Sequence, residues 1–411
     1  RGCRRGLQGG LHRGITAAAW CRRYRTRVLW PHEGRLDRLV DELGQLGITK
    51  VRSFAWRDRD DPDAGGSEIH ADEIFSRWVA AGLPVEHRTS SIGNATLLPR
   101  SYDSIQRGGR FDVFARVASR EVIRRQPADT AIVEIWNGVP WFSPLWRARA
   151  AVVWMHHVHG SMWDDAIRKP FNHLGRVLEA KIAPRLYRNA SIVTLSDSSR
   201  VEIEAIGIPP SSIAVVPPGV SDRFQPDEAR RAHNPHVVIV GRLAPVKRMP
   251  QVVRSLAAVR GQLPTLTVEI VGEGVARQEL QTWIDANDAS SWVSLAGRVD
   301  DAALVRAYQR AWFVVSGSHA EGWGMSLTEG AACGCPSVAT DIAGHRGAVD
   351  PAVSGILVSD VDAIGQAVVD LVNDPALLEK LRGGAISHAA NFGWDAVAAA
   401  QLGVLLDRAR R

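Results

Sequence analysis

The sequence predicts an α/β protein of two domains, each assembled from strand, glycine loop and helix units. Three observations carry this expectation. The chain has 411 residues, 45% of them hydrophobic, which exceeds what one core usually holds and suffices for two. Short apolar runs rich in β-branched residues end in small or glycine-bearing loops and pass into helical spacing, as at 49–55, 236–240 and 312–315. Midway, Pro217, Pro218 and Gly219 interrupt the pattern, and a polar stretch at 221–234 follows, as expected of a hinge and linker. The boundaries predicted are an extension at 1–48, disordered or partly helical, a first domain at 49–218, a second at 219–391, and a terminal helix at 392–411.

Residues 1–30 hold eight Arg and no acid, and removing them takes the formal charge from +6 to −2. The basic character therefore belongs to this stretch, and a nucleic-acid partner loses its main support. The stretch begins with Arg and lacks periodicity, so we expect disorder or an artefact of the assigned start; an organelle transit peptide is the sharper alternative, against which the absence of Ser speaks. No apolar run approaches the eighteen or so residues of a membrane span, and no secretory apolar core is present. Cys3, Cys21, Cys333 and Cys335 have no zinc spacing, and Cys-Gly-Cys-Pro at a helix end reads as small packing residues. A reducing cytoplasm fits.

In the first domain, 36–46 has helical spacing and 49–55 reads as the first strand. An acidic loop at 58–63 contains Asp-x-Asp twice, a spacing able to chelate a cation. Arg57 and Arg59 compete for those carboxylates and a turn at Pro62 explains the composition, so no metal is expected. Gly65 and Gly66 lead into a helix with Ile69, Ile74, Phe75 and Val79 on its apolar side. Residues 100–125 carry seven Arg against three acids, and 168–188 six Lys or Arg against one. Both have helical apolar spacing, and each could be a solvated face or a basic face for anionic lipid or an anionic substrate. Strands are expected at 131–135, 151–155, 191–195 and 213–216. The second runs into His156, His157 and His159, where a zinc site fails for lack of Cys ligands and of a common spacing. One of the three could be a packed or capping histidine.

In the second domain, the strand at 236–240 feeds Gly241, Arg242, Lys247 and Arg248. Cations beyond a strand's carboxyl end, facing a helix amino terminus, suit a diphosphate. The strand at 267–271 with Gly272 and Gly274, and that at 293–295 with Gly297, Arg298 and Val299, repeat the unit. In 312–340, a buried strand gives way to a loop with Glu321, Gly322, Trp323 and Gly324, then to a helix over 325–333 that bears Met325, Ser326 and Glu329, stopped by Gly334 and Pro336. The free N–H groups and positive end of that helix favour an anion, and ionised carboxylates favour sugar and ribose hydroxyls. A last strand at 356–358 and helices at 362–385, broken at Asp374-Pro375, complete the domain.

The run EGWGMSLTEGAACGCPSVAT resembles the E-x7-E signature of the family-4 retaining glycosyltransferases, which have the GT-B fold of two facing Rossmann-like domains. VVIVGRLAPVKR, AGG at 64–66, VVPPGVSDRF and TLSDSSR resemble further landmarks of that family, and the likeness spans roughly 51–394. It implies an acceptor-binding first domain, a nucleotide-sugar-binding second domain, and a terminal helix that crosses back to the first. By that likeness a hexosyl group passes with retention from a nucleoside diphosphate sugar to a hydroxyl acceptor, without cofactor or metal. Glu329 would hold the ribose and Glu321 the sugar, while Arg242, Lys247 and backbone N–H groups at Trp323–Ser326 would bind the diphosphate. Gly65 and Gly66 would reach over the cleft, and Gly272, Arg298 and Val299 would border the base. His156 is the closest match to the family's histidine near the sugar, with His159 a second candidate. The localisation expected is cytoplasmic, with peripheral contact at an anionic inner membrane face left open. Competing readings are an epimerase on the same fold, a glycosidase, which needs no phosphate clamp, and a non-catalytic sugar-nucleotide-binding protein.

Overall fold

The computed structural model of the chain describes residues 35–61, 64–90, 99–106, 108–109, 112–160, 163 and 171–411. The arginine-rich stretch to residue 34, with Cys3 and Cys21, lies outside the described residues, as do Pro62 and Asp63.

The first domain opens with helix α1 (Leu36–Gln45) and continues β1 (Lys50–Phe54), α2 (Gly66–Ala80), β2 (Val85–Thr89), β3 (Asp103–Gln106), α3 (Asp112–Ile123), β4 (Thr130–Trp136) and β5 (Ala151–Met155). It closes with α4 (Phe171–Val177), a π-helical turn at Leu178–Ile182, α5 (Ala183–Tyr187), β6 (Ser191–Thr194), α6 (Asp197–Ala205) and β7 (Ile213–Val215). Its seven strands lie in the order β3-β2-β1-β4-β5-β6-β7, all parallel. Every residue of β4 is buried, as a central strand covered by helices on both faces requires.

The second domain runs β8 (His236–Val240), α7 (Met249–Ala258), β9 (Thr267–Val271), α8 (Arg277–Ala286), β10 (Val293–Gly297), α9 (Asp301–Arg310) and β11 (Phe313–Ser316). It continues α10 (Met325–Ala332), β12 (Ser337–Thr340), α11 (Ala343–Ala348), β13 (Gly355–Val358), α12 (Ile364–Asn373) and α13 (Pro375–Ala389). Six parallel strands take the order β10-β9-β8-β11-β12-β13. Asp374 separates α12 from α13, and its side chain accepts from the Leu377 N–H to cap the second helix ahead of Pro375.

Helix α14 (Trp394–Arg410) belongs by packing to the first domain. It lies on α1, α2, β5 and β6, and Val397, Leu402 and Leu405 share one apolar cluster with Val51, Trp78 and Trp154. The Trp78 indole N–H donates to the Ala398 carbonyl, at 3.0 Å. A GT-B architecture with the terminal helix crossing back is therefore what the sequence folds into.

Two basic segments differ from their helical expectation in part. Residues 103–106 form β3, the edge strand of the first sheet, whose burial does not alternate along its length. Within 168–188 the helix passes through the π turn, while 164–170 lie outside the described residues. Among the described residues, no helix is long and apolar enough to cross a membrane.

Candidate functional site

In an open parallel sheet, loops leaving two adjacent but non-consecutive strands diverge and leave a crevice at their carboxyl ends. The second sheet has that point between β8 and β11, the first between β1 and β4. The loop after β8 carries Arg242 and a 3-10 turn at Pro245–Lys247, and the loop after β11 carries Glu321. These two loops meet: Lys247 Nζ lies 2.8 Å from Glu321 Oε1. His345 of α11, absent from the sequence expectations, places Nε2 3.5 Å from the same oxygen. Burial opposes ionisation of Glu321, but Lys247 and His345 outweigh it and hold the carboxyl well below the usual carboxylate range.

Helix α10 begins at Gly324 without a side-chain cap, so its first N–H groups remain available to an anion. One turn on, Glu329 accepts from the Tyr308 hydroxyl at 3.0 Å. Burial pushes its carboxyl up to about 7, against the pull of Tyr308 and Arg223. The two carboxylates thus sit in opposite electrostatic states, Glu321 ionised by its cations and Glu329 poised near neutrality.

The first domain closes over this edge. Gly65 donates its N–H to Glu68 Oε2 at 2.8 Å, which fixes the amino terminus of α2. A Cβ on Gly66 would stand 2.9 Å from Met325 Sδ at the start of α10. A Cβ on Gly322 would stand 2.6 Å from the His156 carbonyl oxygen. Ser196 Oγ donates to the Gly322 carbonyl (3.3 Å) and Ser198 Oγ to that of Ala343 (2.8 Å). On the β4 side of the crevice, Asn137 Nδ2 donates to Ser67 Oγ, at 3.2 Å.

The histidines separate. His156 turns into the first domain, its ring 5.0 Å from that of His70; burial, with His70 and His157 adding to it, drives its pKa far down and keeps it neutral. His157 is the one that faces the ion pair: burial holds it at about 4, with Glu321 raising and Lys247 lowering it. It stacks on His159, ring centroids 4.7 Å apart, and His159 donates its backbone N–H to Glu179 at 2.9 Å. His156 lies beside the cleft through its carbonyl, and the register of one residue, invisible in the sequence, decides which imidazole looks across.

Other predicted residues are dispersed. Arg242 and Arg298 are exposed. The backbone at Gly272 lies so close to that at Gly241 that a Cβ would meet its carbonyl oxygen at 2.0 Å, and φ there is +139°; glycine is required for the loops of β8 and β9 to pack. Val299 packs against the apolar cluster that also holds Trp323. The Trp323 indole is 7% exposed and 5.5 Å from the Phe392 ring, edge to face, so only its backbone borders the crevice. Met325 and Ser326 are half-buried at the helix start. Of the acidic loop, Asp58 Oδ2 takes Arg100 Nη1 and Ser104 Oγ, both at 2.5 Å. Asp60 is also bound by Arg100, and Arg59 turns to Asp72. Among the described residues, no three His, Cys, Asp or Glu side chains are placed to hold a metal.

Comparison with known proteins covers both domains. A family model described as "Glycosyl transferases group 1" matches residues 220–388, and one described as "Glycosyltransferase Family 4" matches 64–224. The D-inositol 3-phosphate glycosyltransferase of Thermobispora bispora is 32% identical over 392 residues, covering 82% of this chain and 88% of the relative. The protein of the same name from Streptosporangium roseum is 32% identical, with 82% and 87% covered. Among solved structures, sucrose-phosphate synthase from Thermosynechococcus elongatus superposes with a TM-score of 0.70 at 20% identity, covering 86% of this chain and 97% of that one. WaaG, a glycosyltransferase of lipopolysaccharide biosynthesis, gives 0.69 at 15% identity, with 86% and 99% covered.

Proposed function

The chain belongs to the family-4, group 1 glycosyltransferases, and from that premise we propose that it transfers a hexosyl group from a nucleoside diphosphate sugar to a hydroxyl acceptor with retention of configuration. One observation carries the reading: Lys247 and Glu321 meet at 2.8 Å at the sheet's switch point, beside the uncapped start of α10. A cation, a carboxylate and free N–H groups within one crevice can hold a diphosphate and a sugar hydroxyl side by side. As the glycosidic bond stretches, negative charge grows on the departing diphosphate, where Lys247 and the helix end stabilise it. Glu321 receives the sugar, Glu329 the ribose, and His157 looks onto the transferred group from the first domain. Gly66 against Met325 and Gly322 against the His156 backbone bring the two domains together at the crevice, which would exclude water from it.

Metal independence is part of this reading, because Asp58 and Asp60 are already bound by Arg100; turnover is expected to persist in EDTA. The experiment is incubation with a panel of nucleoside diphosphate sugars and acceptors, with D-inositol 3-phosphate the first acceptor tried because the two relatives carry that name. The glycoside's anomeric configuration is then read by NMR. A product of inverted configuration, epimerised donor, or no product from any pair would overturn the reading.

A further inference from the structure

Glu321 has two partners on one oxygen, and only one of them, Lys247, is a permanent cation. The other is His345, which has no solvent exposure. Its Nδ1 lies 2.8 Å from the Thr340 carbonyl oxygen, which can only accept, so Nδ1 carries a proton. Its Nε2 lies 3.5 Å from Glu321 Oε1, also an acceptor only, and 3.2 Å from Ser316 Oγ, which can donate or accept. A singly protonated ring would turn a lone pair toward one of the two acceptors. Protons on both nitrogens satisfy both.

The frame around the ring is fixed. A Cβ on Gly344 would stand 2.1 Å from the Glu321 carbonyl oxygen, so α11 and the Glu321 loop share one register. A Cβ on Gly324 would stand 3.2 Å from His345 Cδ2, which sets the ring against the start of α10. Thr340 Oγ1 donates to the Ser318 carbonyl at 2.5 Å, tying β12 to the loop after β11. The remaining charged and titratable groups are Lys247, on the same Glu321 oxygen, His157, across the crevice, and Arg346, which is turned to Asp341 at 2.5 and 3.0 Å.

We propose that His345 is a positioning residue for Glu321: protonated on both nitrogens, it spans the Thr340 carbonyl and Glu321 Oε1, and leaves Oε2 to accept a hydroxyl of the donor sugar. The role of the sugar rests on the glycosyl-transfer reading above; the contact itself does not. Among the described residues Oε2 has no partner, whereas Oε1 has two. The arrangement also frees Lys247. An ammonium has three donors on a flexible stem, so it can turn toward the diphosphate while His345 keeps the carboxylate in place. Without His345, each turn of Lys247 would leave a buried carboxylate unpaired, at the cost of its orientation.

The test uses the full chain labelled with [15N]histidine, the His345 signals being assigned by their loss in His345→Gln. Expected at pH 7 are two protonated ring nitrogens in the wild type and a single tautomer in Glu321→Gln. In turnover, His345→Leu should lower kcat by about tenfold or more with donor KM within about threefold, the signature of a contact that matters in the transition state. His345→Gln, which keeps an N–H near the Nε2 position, should recover part of the loss. An unprotonated Nε2 in the wild type, or a His345 signature unchanged by Glu321→Gln, overturns the proposal. So do equal losses in the Leu and Gln variants that track their melting temperatures, since that pattern belongs to packing alone. If the wild type transfers no sugar from any donor, the reading of function fails, and the nitrogen shifts still decide the His345 contact.

Discussion

Lys247 and Glu321 pair at 2.8 Å in the crevice, so on the proposed function a donor diphosphate competes with a carboxylate for the ammonium. If the proposed transfer holds, that competition makes Lys247 worth more in the transition state than in the bound donor, because the departing diphosphate would gain charge while Glu321 would not. Lys247→Ala should lower kcat by about two to three orders of magnitude, as loss of a preorganised oxyanion donor does, and Lys247→Arg should recover only part, since a planar fork cannot replace a point charge between two partners. Arg248, held in the left-handed region (φ 49°) at the cap position just before α7, should tolerate Ala; steady-state kinetics of the three variants check the assignment. Glu329 behaves differently. Its carboxyl, raised by burial to about 7, is protonated below that pH and ionised above it, and the ionised form makes the stronger hydrogen bonds to ribose hydroxyls. Donor affinity should therefore fall as pH drops from 8 to 6, by up to about tenfold per unit well below the pKa. Calorimetric titration of the nucleoside diphosphate should show this slope in the wild type and its absence in Glu329→Gln. Glu321→Gln should instead lower kcat across that range, because its carboxyl is ionised throughout.

The elements that bear these residues are joined by glycines, and the glycines are not equivalent. A Cβ on Gly66 meets only the flexible end of Met325, whereas one on Gly322 meets the His156 backbone at 2.6 Å. Gly66→Ala should then cost little, while Gly322→Ala should push the two domains apart and lower kcat at an unchanged folded fraction, which turnover and circular dichroism measured together would reveal. Much of this layout was legible beforehand. The strand, loop and helix around Glu321 and Glu329 is marked by an abrupt change of hydrophobic period, and the break at Pro217-Pro218-Gly219 marks the hinge. What was illegible depends on facing across space. β3 is a short, half-buried edge with no alternation to detect. That His157 rather than His156 faces the Lys247–Glu321 pair turns on the side to which the chain points after β5 ends, and His345 stands in a helix of six residues whose meaning comes from Thr340 behind it and Glu321 before it. The Trp323 indole, which stands between two glycines in the sequence, packs its apolar surface against Phe392.

Across the whole molecule, two chain segments pass between the domains, and they run side by side. Val220 donates its N–H to the Phe392 carbonyl at 2.6 Å, and Val220 and Gly393 form a parallel bridge. The crossing is filled by Trp394, the first residue of α14, whose indole lies where a Cβ on Gly219 would stand, 2.4 Å from Trp394 Cδ2. The same ring is 5.7 Å from His70, so the hinge, the terminal helix and the buried histidine pair behind the cleft share one side chain. Gly219→Ala should lower the thermal midpoint because its methyl group and a ring clamped on its other faces cannot both fit. Trp394→Ala should cost about 3–5 kcal/mol, as large aromatic truncations in cores do. The two changes should not add: with the indole gone, the alanine methyl enters the space it leaves, and the double variant should melt no lower than Trp394→Ala alone. Additive losses in calorimetry would mean that Gly219 is constrained by the backbone of the hinge, and that Trp394 serves only to dock the helix.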